Sequence, residues 1–228
     1  MAKLTWLGHA SWLLETQGHV VVVDPFLTEN PAATASADEI NASFVLLTHG
    51  HFDHVADAAM IANRNNAVML VANYEIATWF AEKHDVKNTL GMNLGGAVDL
   101  PFGRVKMTLA HHSSQLPDGS YGGNPGGFLV EVEGKKIYFA GDTALFGDMQ
   151  LIGDEHPDVA VLPIGDVFTM GPDDSVKAAK MIGAQIVVPG HYNTWPPIEQ
   201  DAAAWSEQIR ACGLTPIVPV VGKAFDIA

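Results

Sequence analysis

Residues 44–54 read FVLLTHGHFDH, an apolar run that turns abruptly into imidazoles and a carboxylate. The run Phe44 to Leu47 predicts a short buried strand, because it is apolar on both faces. Residues with metal-binding side chains then follow within one turn of backbone: His49, His51, Asp53 and His54. Clustered imidazoles are unfavourable unless a cation or an acid compensates them, and they are common zinc ligands. We therefore predict half of a metal site at the end of this strand.

The segments around this turn predict an α/β fold. Three strands open the chain, with a tight turn at Gln17-Gly18, and strands then alternate with helices from Phe44 to His84. A second hairpin around Gly134-Lys135 and further strand and helix pairs repeat this order. Two packed sheets with helices on both outer faces accommodate the repeat. Because the chain has 228 residues and no linker-like stretch, residues 1–228 are predicted to form a single domain.

Three local predictions concern the second half of the chain. Asp173 or Asp174 is expected to cap a helix that ends at Ile182, with Gly183 as its stop signal. A last helix is expected over 198–211, followed by a C-terminal run over 216–221.

Composition narrows the range of partners. The formal net charge is −14 with only 12 Lys and Arg, which disfavours nucleic acid as a substrate because its phosphates would be repelled. Apolar runs stay far below the roughly 20 residues of a membrane span, so no membrane partner is expected. The N-terminus lacks the pattern of a signal peptide and Cys212 is the single cysteine, which together predict a cytoplasmic location. A homo-oligomer remains open.

Further metal-ligand residues stand at the ends of later predicted strands: Asp24, His111, His112, Asp142 and His191. Strand ends from different parts of a layered sheet converge at one edge, where open-sheet folds place their sites. With one His of the pair at 111 and 112, and with Asp24 left aside as a further possibility, these residues and the turn at 49–54 offer up to five His and two Asp ligands. Such a set suits two divalent ions rather than one, with zinc favoured and manganese or iron as alternatives.

The sequence also resembles a known family. THGHFDH at 48–54 is similar to the His-x-His-x-Asp-His signature of the metallo-β-lactamase superfamily, and GDT at 141–143 and PGH at 189–191 fit its later landmarks. A narrower resemblance is to the UPF0173 family of small cytoplasmic metal-dependent hydrolases. It covers almost the whole chain through WLGHAS at 6–11, VDPF at 23–26, HSS at 112–114, GDTALFGDM at 141–149 and PIGDVFTMGP at 163–172.

This resemblance implies a four-layer αββα sandwich, the metallo-β-lactamase fold, and a dinuclear centre. Carried over motif by motif, one metal would be held by His49, His51 and His112, and the other by Asp53, His54 and His191. Asp142 would bridge the two ions. His112 is preferred because the family's ligand directly precedes Ser-Ser, and strand alternation sends its neighbour to the opposite face. His111 remains an alternative.

The expected chemistry is hydrolysis of a small ester, lactone or phosphoester. Two cations that share a bridging water lower its pKa and produce hydroxide at physiological pH. Asp53 is the expected catalytic carboxylate, which accepts or returns a proton. Four further residues are predicted to contact substrate or to support the metal ligands: His9, Asp24, Asp166 and Asn193.

Two other interpretations remain open at this point. A phosphodiesterase or nuclease of the same superfamily would use the same ligands, although the acidic balance of the chain argues against a nucleic-acid substrate. A metal-binding protein without catalysis, such as a sensor or a subunit, is the other.

Overall fold

The computed structural model describes residues 1–227. The strands are β1 (Lys3–Gly8), β2 (Ser11–Thr16), β3 (His19–Val23), β4 (Phe44–Leu46), β5 (Met69–Asn73), β6 (Thr89–Met92), β7 (Ala97–Leu100), β8 (Gly103–Leu109), β9 (Gly126–Val132), β10 (Lys135–Phe139), β11 (Val159–Pro163), β12 (Ile186–Gly190), β13 (Thr215–Pro216) and β14 (Ala224–Asp226). The helices are α1 (Phe52–Val55), α2 (Ala58–Ala62), α3 (Tyr74–Lys83), α4 (Met149–Gly153), α5 (Pro172–Ile182) and α6 (Ala202–Ala211). Short 3-10 turns lie at Ala37–Glu39 and Pro196–Ile198.

The strands form two mixed seven-stranded sheets. The first has the order β14-β1-β2-β3-β4-β5-β6 and the second the order β13-β12-β11-β10-β9-β8-β7. In each sheet an antiparallel part continues into parallel strands, β3 to β6 in the first and β10 to β13 in the second. The predicted repeat of strand and helix order is therefore present as two related halves.

Alternating side chains of the first sheet enter two separate apolar cores. Val21 and Leu46 face the second sheet and join the larger core, which includes Phe128 and reaches Trp205 of α6. Val22 and Val45 point the other way and pack with residues of α2 and α3, among them Phe80. Because successive strand residues point to opposite faces, each buried strand serves both layers. The predicted αββα sandwich is confirmed.

Parallel pairing decides where the polar turns meet. β4 leads into the buried polar residues Thr48 and His49, and β12 leads into the buried His191. β8 and β10 lead into further polar turns. These strand ends come together at one edge of the sandwich, because Asp142 after β10 lies within 3.5 Å of His54, His112 and His191, which follow β4, β8 and β12. This edge is called the site edge from here on.

One of the local predictions is wrong. Helix α5 begins at Pro172 with Gly171 as N-cap, so neither Asp173 nor Asp174 caps it. Proline suits the first helical position because the N–H it lacks would be unpaired there, and both aspartates instead lie in the first turn, where the helix dipole favours them. The C-terminal run over 216–221 begins in β13 and continues as the connection to β14.

The remaining helix boundaries are close to those expected. Gly183 ends α5 with φ of 70°, as predicted from its freedom to adopt the left-handed conformation. Helix α6 begins at Ala202 rather than at 198, because the Asp201 side chain accepts hydrogen bonds from the N–H groups of Ala203 and Ala204. Within residues 1–227, no helix has both the length and the apolar character needed to cross a membrane.

Candidate metal centre

The first set of donors, group A, consists of His49, His51 and His112. His51 Nδ1 lies 2.9 Å from His49 Nε2 and 3.2 Å from His112 Nε2. Two of these imidazoles come from the turn after β4, and the third follows β8 in the other sheet. Three imidazole nitrogens that converge in this way form a common metal-ligand set.

The second set, group B, consists of Asp53, His54 and His191. Asp53 Oδ2 lies 3.6 Å from both His54 Nε2 and His191 Nε2. The 49–54 turn winds into α1, which sends His51 to group A and the two residues after Phe52 to group B. His191 follows β12 and completes the set from the second sheet.

Asp142 lies between the two groups. Its Oδ1 is 3.3 Å from His54 Nε2, and its Oδ2 is 3.1 Å from His191 Nε2. The same Oδ2 lies 3.5 Å from His112 Nε2 and 4.0 Å from His49 Nε2. One buried carboxylate therefore touches donors of both groups, which is the arrangement of a bridging ligand.

Several of these donor atoms lack ordinary partners. Within residues 1–227, no well-aligned hydrogen bond reaches His54 Nε2, Asp142 Oδ1 or either ring nitrogen of His191, although all are buried. His54 Nε2 and Asp142 Oδ1 approach to 3.3 Å but are misaligned. Because buried polar atoms almost always find partners, unpaired donors that point at a shared space fit metal ions between them.

Electrostatics supports the same assignment. Burial acts to lower the pKa of His191, but the carboxylates of Asp142 and Asp53 together outweigh it and raise that pKa to about 9. Burial acts to raise the pKa of Asp142, and the charges on His191 and His54 outweigh this effect and hold it well below its usual range. Imidazolium charges thus balance the buried carboxylates when no metal is bound. Divalent cations would displace these protons.

Asp24 supports group B from behind. This buried carboxylate accepts a hydrogen bond from His54 Nδ1 at 2.9 Å, and further bonds from the backbone N–H and the hydroxyl of Thr48 at 2.8 and 2.6 Å. The Thr48 hydroxyl also lies 3.1 Å from His49 Nδ1. A carboxylate on the far nitrogen of an imidazole sets its tautomer and orientation, as at many metal sites.

His9 contacts group B from the other side. Its Nε2 lies 2.8 Å from Asp53 Oδ2, and its Nδ1 lies 3.0 Å from the hydroxyl of Thr194. Burial, followed by the charge on His191, lowers the pKa of His9 to about 4. A neutral imidazole with its proton on Nε2 donates to Asp53 and accepts from Thr194.

Three sequence candidates lie outside this cluster. His111 is exposed and stacks on Phe146 at a ring distance of 4.7 Å, so the structure brings His112 rather than His111 to the donors. Asp166 Oδ1 accepts a hydrogen bond from the N–H of Val167, and Asn193 Oδ1 accepts one from the N–H of Gln200. The side chains of both residues are therefore engaged within their own loops.

Sequence reasoning missed the hydroxyl partners of the imidazoles. The Thr48 hydroxyl contacts His49 Nδ1, and the Thr194 hydroxyl contacts His9 Nδ1. The Ser113 hydroxyl lies 3.3 Å from His51 Nε2. Thr48 and Ser113 each adjoin a predicted ligand in the sequence, and that adjacency was the available signal.

The cluster opens to solvent on one side only. The side chains of Asp53 and His112 are 18% and 14% exposed, whereas that of Asp142 is 3% exposed. Behind the cluster, the space between the sheets that is lined by Trp12, Asp24 and His191 holds only about 20 Å³. Such a volume is large enough for a water molecule but not for a substrate. Substrate must therefore approach from the side of Asp53 and His112.

Comparison with known proteins identifies the family of this chain. A family model described as a beta-lactamase superfamily domain matches residues 3–191. A UPF0173 metal-dependent hydrolase of Thermus thermophilus is 48% identical over 94% of both chains. One from Geobacillus thermodenitrificans is 50% identical over 87% of this chain and 89% of its own. The structure of Igni18, a metallo hydrolase from the archaeon Ignicoccus hospitalis, covers 100% of this chain and 99% of its own, with a TM-score of 0.88 and 32% identity.

The matched family domain includes every donor of groups A and B together with Asp142, and the relatives at 48% and 50% identity are named metal-dependent hydrolases. The chain therefore belongs to the beta-lactamase superfamily and, within it, to the UPF0173 metal-dependent hydrolases.

Proposed function

We propose that this metal-dependent hydrolase works with a dinuclear centre on a small ester, lactone or phosphoester. The observation that carries the proposal is the position of Asp142, within 4.0 Å of imidazoles from both donor groups. Group A would hold one divalent ion and group B the other. Zinc is favoured by the predominance of imidazole, and manganese or iron would accept the same donors.

When bound, two such ions lower the pKa of a water molecule toward neutrality and polarise the substrate oxygen. The protein's own residues hold and orient the reacting groups. Asp24 fixes His54, and His9 donates to Asp53. Asp53 is more exposed than Asp142, so it is the carboxylate that a departing group can reach. We assign Asp53 the catalytic task of holding a proton and returning it to that group.

The proposal includes the predicted partners and location of the protein. We expect a small-molecule substrate, a cytoplasmic location, and neither a nucleic-acid nor a membrane partner. Both a monomer and a homo-oligomer are compatible with this function. The net charge of −14 argues against a nuclease that uses the same ligands. The interpretation as a non-catalytic metal-binding protein is set aside, because the relatives are named hydrolases.

Metal content and turnover of one variant test the proposal. Purified protein loaded with zinc, manganese or iron is expected to retain two equivalents by elemental analysis and to hydrolyse members of an ester, lactone and phosphoester panel. His51→Ala should lose about one equivalent and most of the activity, because it removes a donor of group A.

His84→Ala is the matched control, since His84 is exposed and packs on Trp79 at the end of α3. It should keep both metals. Failure of the wild-type protein to bind any transition metal, or an unchanged metal content in His51→Ala, would reject the dinuclear centre.

A further inference from the structure

The segments that carry the donors at the site edge contain no Lys or Arg. Nine segments connect or follow the strands there: 9–10, 24–43, 47–57, 93–96, 110–125, 140–148, 164–171, 191–201 and 217–223. Only the last of them contains one of the 12 basic residues of the chain, Lys223, and the N–H of its neighbour Gly222 donates to the carbonyl of Trp6 in β1 rather than to a residue of the donor groups. Carboxylates are common in the same segments, for example Glu29, Asp118, Asp148, Asp166 and Glu199. The surroundings of the metal centre are thus depleted of positive charge from side chains.

Most basic side chains of the protein are engaged elsewhere. Arg104 pairs with Asp99 at 2.9 Å, and Lys177 pairs with Asp174 at 2.7 Å. Arg64 reaches the segment 24–43, but its guanidinium donates to the backbone carbonyls of Ala37 and Asp38 at the outer part of that segment. An anionic group on a substrate would therefore meet no guanidinium or ammonium partner from the segments that carry the donors.

An aromatic surface adjoins Asp53. Phe26 lies beneath Phe52 and Trp195, with ring distances of 5.5 and 6.0 Å. Phe52 is 44% exposed and Trp195 is half-buried, so both present apolar surface to solvent. The Trp195 ring packs on His9 at 4.7 Å, and His9 contacts Asp53. This aromatic surface consequently starts at the catalytic carboxylate.

A groove without charged residues lies on the other side of the opening. It is an open groove of about 570 Å³ beside His112, and its lining includes Leu94, Leu109 and Pro125. Of the described residues, its lining holds no Asp, Glu, Lys or Arg. Its volume is within the range of small-molecule sites, which are mostly apolar with a few polar groups.

We propose that the centre takes an electrically neutral substrate with an apolar group, such as an uncharged ester, a lactone or a phosphotriester. The inference rests on the proposed function and narrows its substrate class. An anionic substrate needs charge-assisted donors for any oxygen that the metals do not hold, and Arg or Lys normally supplies them. Here the side chains offer carboxylates, which repel an anion, and apolar surface, which cannot solvate one.

Two substrates with the same leaving group test this preference. p-Nitrophenyl valerate is neutral, and mono-p-nitrophenyl glutarate has a similar length but ends in a carboxylate. With the metal-loaded enzyme, and after division by the uncatalysed rates, kcat/KM should favour the neutral ester by at least about tenfold, because like-charge juxtaposition is strongly unfavourable. Equal or faster hydrolysis of the anionic ester would overturn the proposal.

A binding measurement separates the two proposals from each other. Titration calorimetry compares valeramide with glutaramate, an uncharged and an anionic amide of similar length, on the metal-loaded protein. The uncharged amide should bind more tightly, and tighter binding of glutaramate would reject the neutral-substrate inference. If neither ester is hydrolysed, the proposed function fails, while the binding preference still decides the substrate class.

Substitution at Phe52 provides the matched variants. Phe52→Lys places an ammonium at the opening and should reduce the preference for the neutral ester by at least about fivefold, because it supplies the missing cation. Phe52→Gln removes the same aromatic surface without a charge, so it should raise KM for both esters and leave their ratio unchanged. A change of ratio in Phe52→Gln equal to that in Phe52→Lys would contradict the electrostatic explanation.

Discussion

The two donor groups are chemically similar but are built differently. The imidazoles of group B, His54 and His191, are almost fully buried, and Asp24 and His9 hold two members of the group. The imidazoles of group A are contacted by hydroxyl groups rather than by a carboxylate. The difference indicates that the imidazoles of group B form the rigid base of the centre, while each group presents one residue, Asp53 or His112, at the opening through which substrate arrives.

Backbone strain is distributed in the same uneven way. His9, Asp24 and His191 have φ values of 56°, 48° and 53°, a region that residues other than glycine seldom occupy. All three lie at strand ends around group B. Within the described residues, none of the imidazoles of group A has a positive φ. Such conformations persist only where the surrounding structure enforces them, which is consistent with the tighter support of group B.

Loss of the shared carboxylate should have the largest effect, because it affects both groups. Asp142→Asn removes the charge that faces His54 and His191 and the oxygen nearest to His49. We expect the loss of at least one metal equivalent and a decrease in kcat/KM beyond the roughly 100-fold typical of an outer partner. Elemental analysis and kinetics on one preparation measure both quantities.

Circular dichroism of Asp142→Asn should show that the fold is kept, since asparagine is nearly the same size. Two retained equivalents in a folded variant would mean that Asp142 does not join the two groups.

A smaller effect, confined to group B, is expected for Asp24→Asn. Asparagine tolerates a positive φ, so the substitution mainly removes the charge behind His54. Metal affinity should fall by about 10-fold to 100-fold for one equivalent, while the other equivalent is retained. Competition with a chromogenic chelator resolves the two affinities.

Asp57→Asn is the matched control for this variant. Asp57 is also a buried carboxylate, but it accepts from the N–H groups of Leu27 and Thr28 rather than from an imidazole. It should affect stability and leave both metal affinities unchanged. An equal loss of affinity in the two variants would refute a specific role for Asp24.

The hydroxyl support of group A should matter less. Ser113→Ala removes only a 3.3 Å contact between an exposed hydroxyl and His51. Because water can replace an exposed hydroxyl, we expect a change in metal affinity of no more than about threefold. If chelator competition showed a loss as large as that of Asp24→Asn, the contrast between the two groups would be wrong.

The smallest effect is expected at the histidine beside the ligand. His111→Ala removes an exposed ring that stacks on Phe146 and approaches none of the donors. Metal content should remain at the wild-type value, because the substitution removes no donor atom of either group. A lost metal equivalent in this variant would reverse the choice of His112.

The local sequence carried most of the information about the fold and the ligands. Alternating apolar residues place Val21 and Val22 in different cores, and glycine at 183 ends its helix. The dense turn at 49–54 brings its donors together because they are neighbours in the chain. Errors arose where two local signals compete, as at Pro172, where a helix start signal outweighed the aspartates that follow it.

Tertiary structure alone decided what surrounds the ligands. His9 and Thr194 are 185 residues apart in the chain, and His9 and Asp53 are 44 residues apart. No periodicity or spacing encodes such contacts, because they depend on how two sheets pack and which strand ends meet at one edge. The sequence by itself determined that metal-binding chemistry is present at the ends of strands. The packing of the sheets decided which polar side chains stand behind each predicted ligand and which uncharged surfaces border the opening.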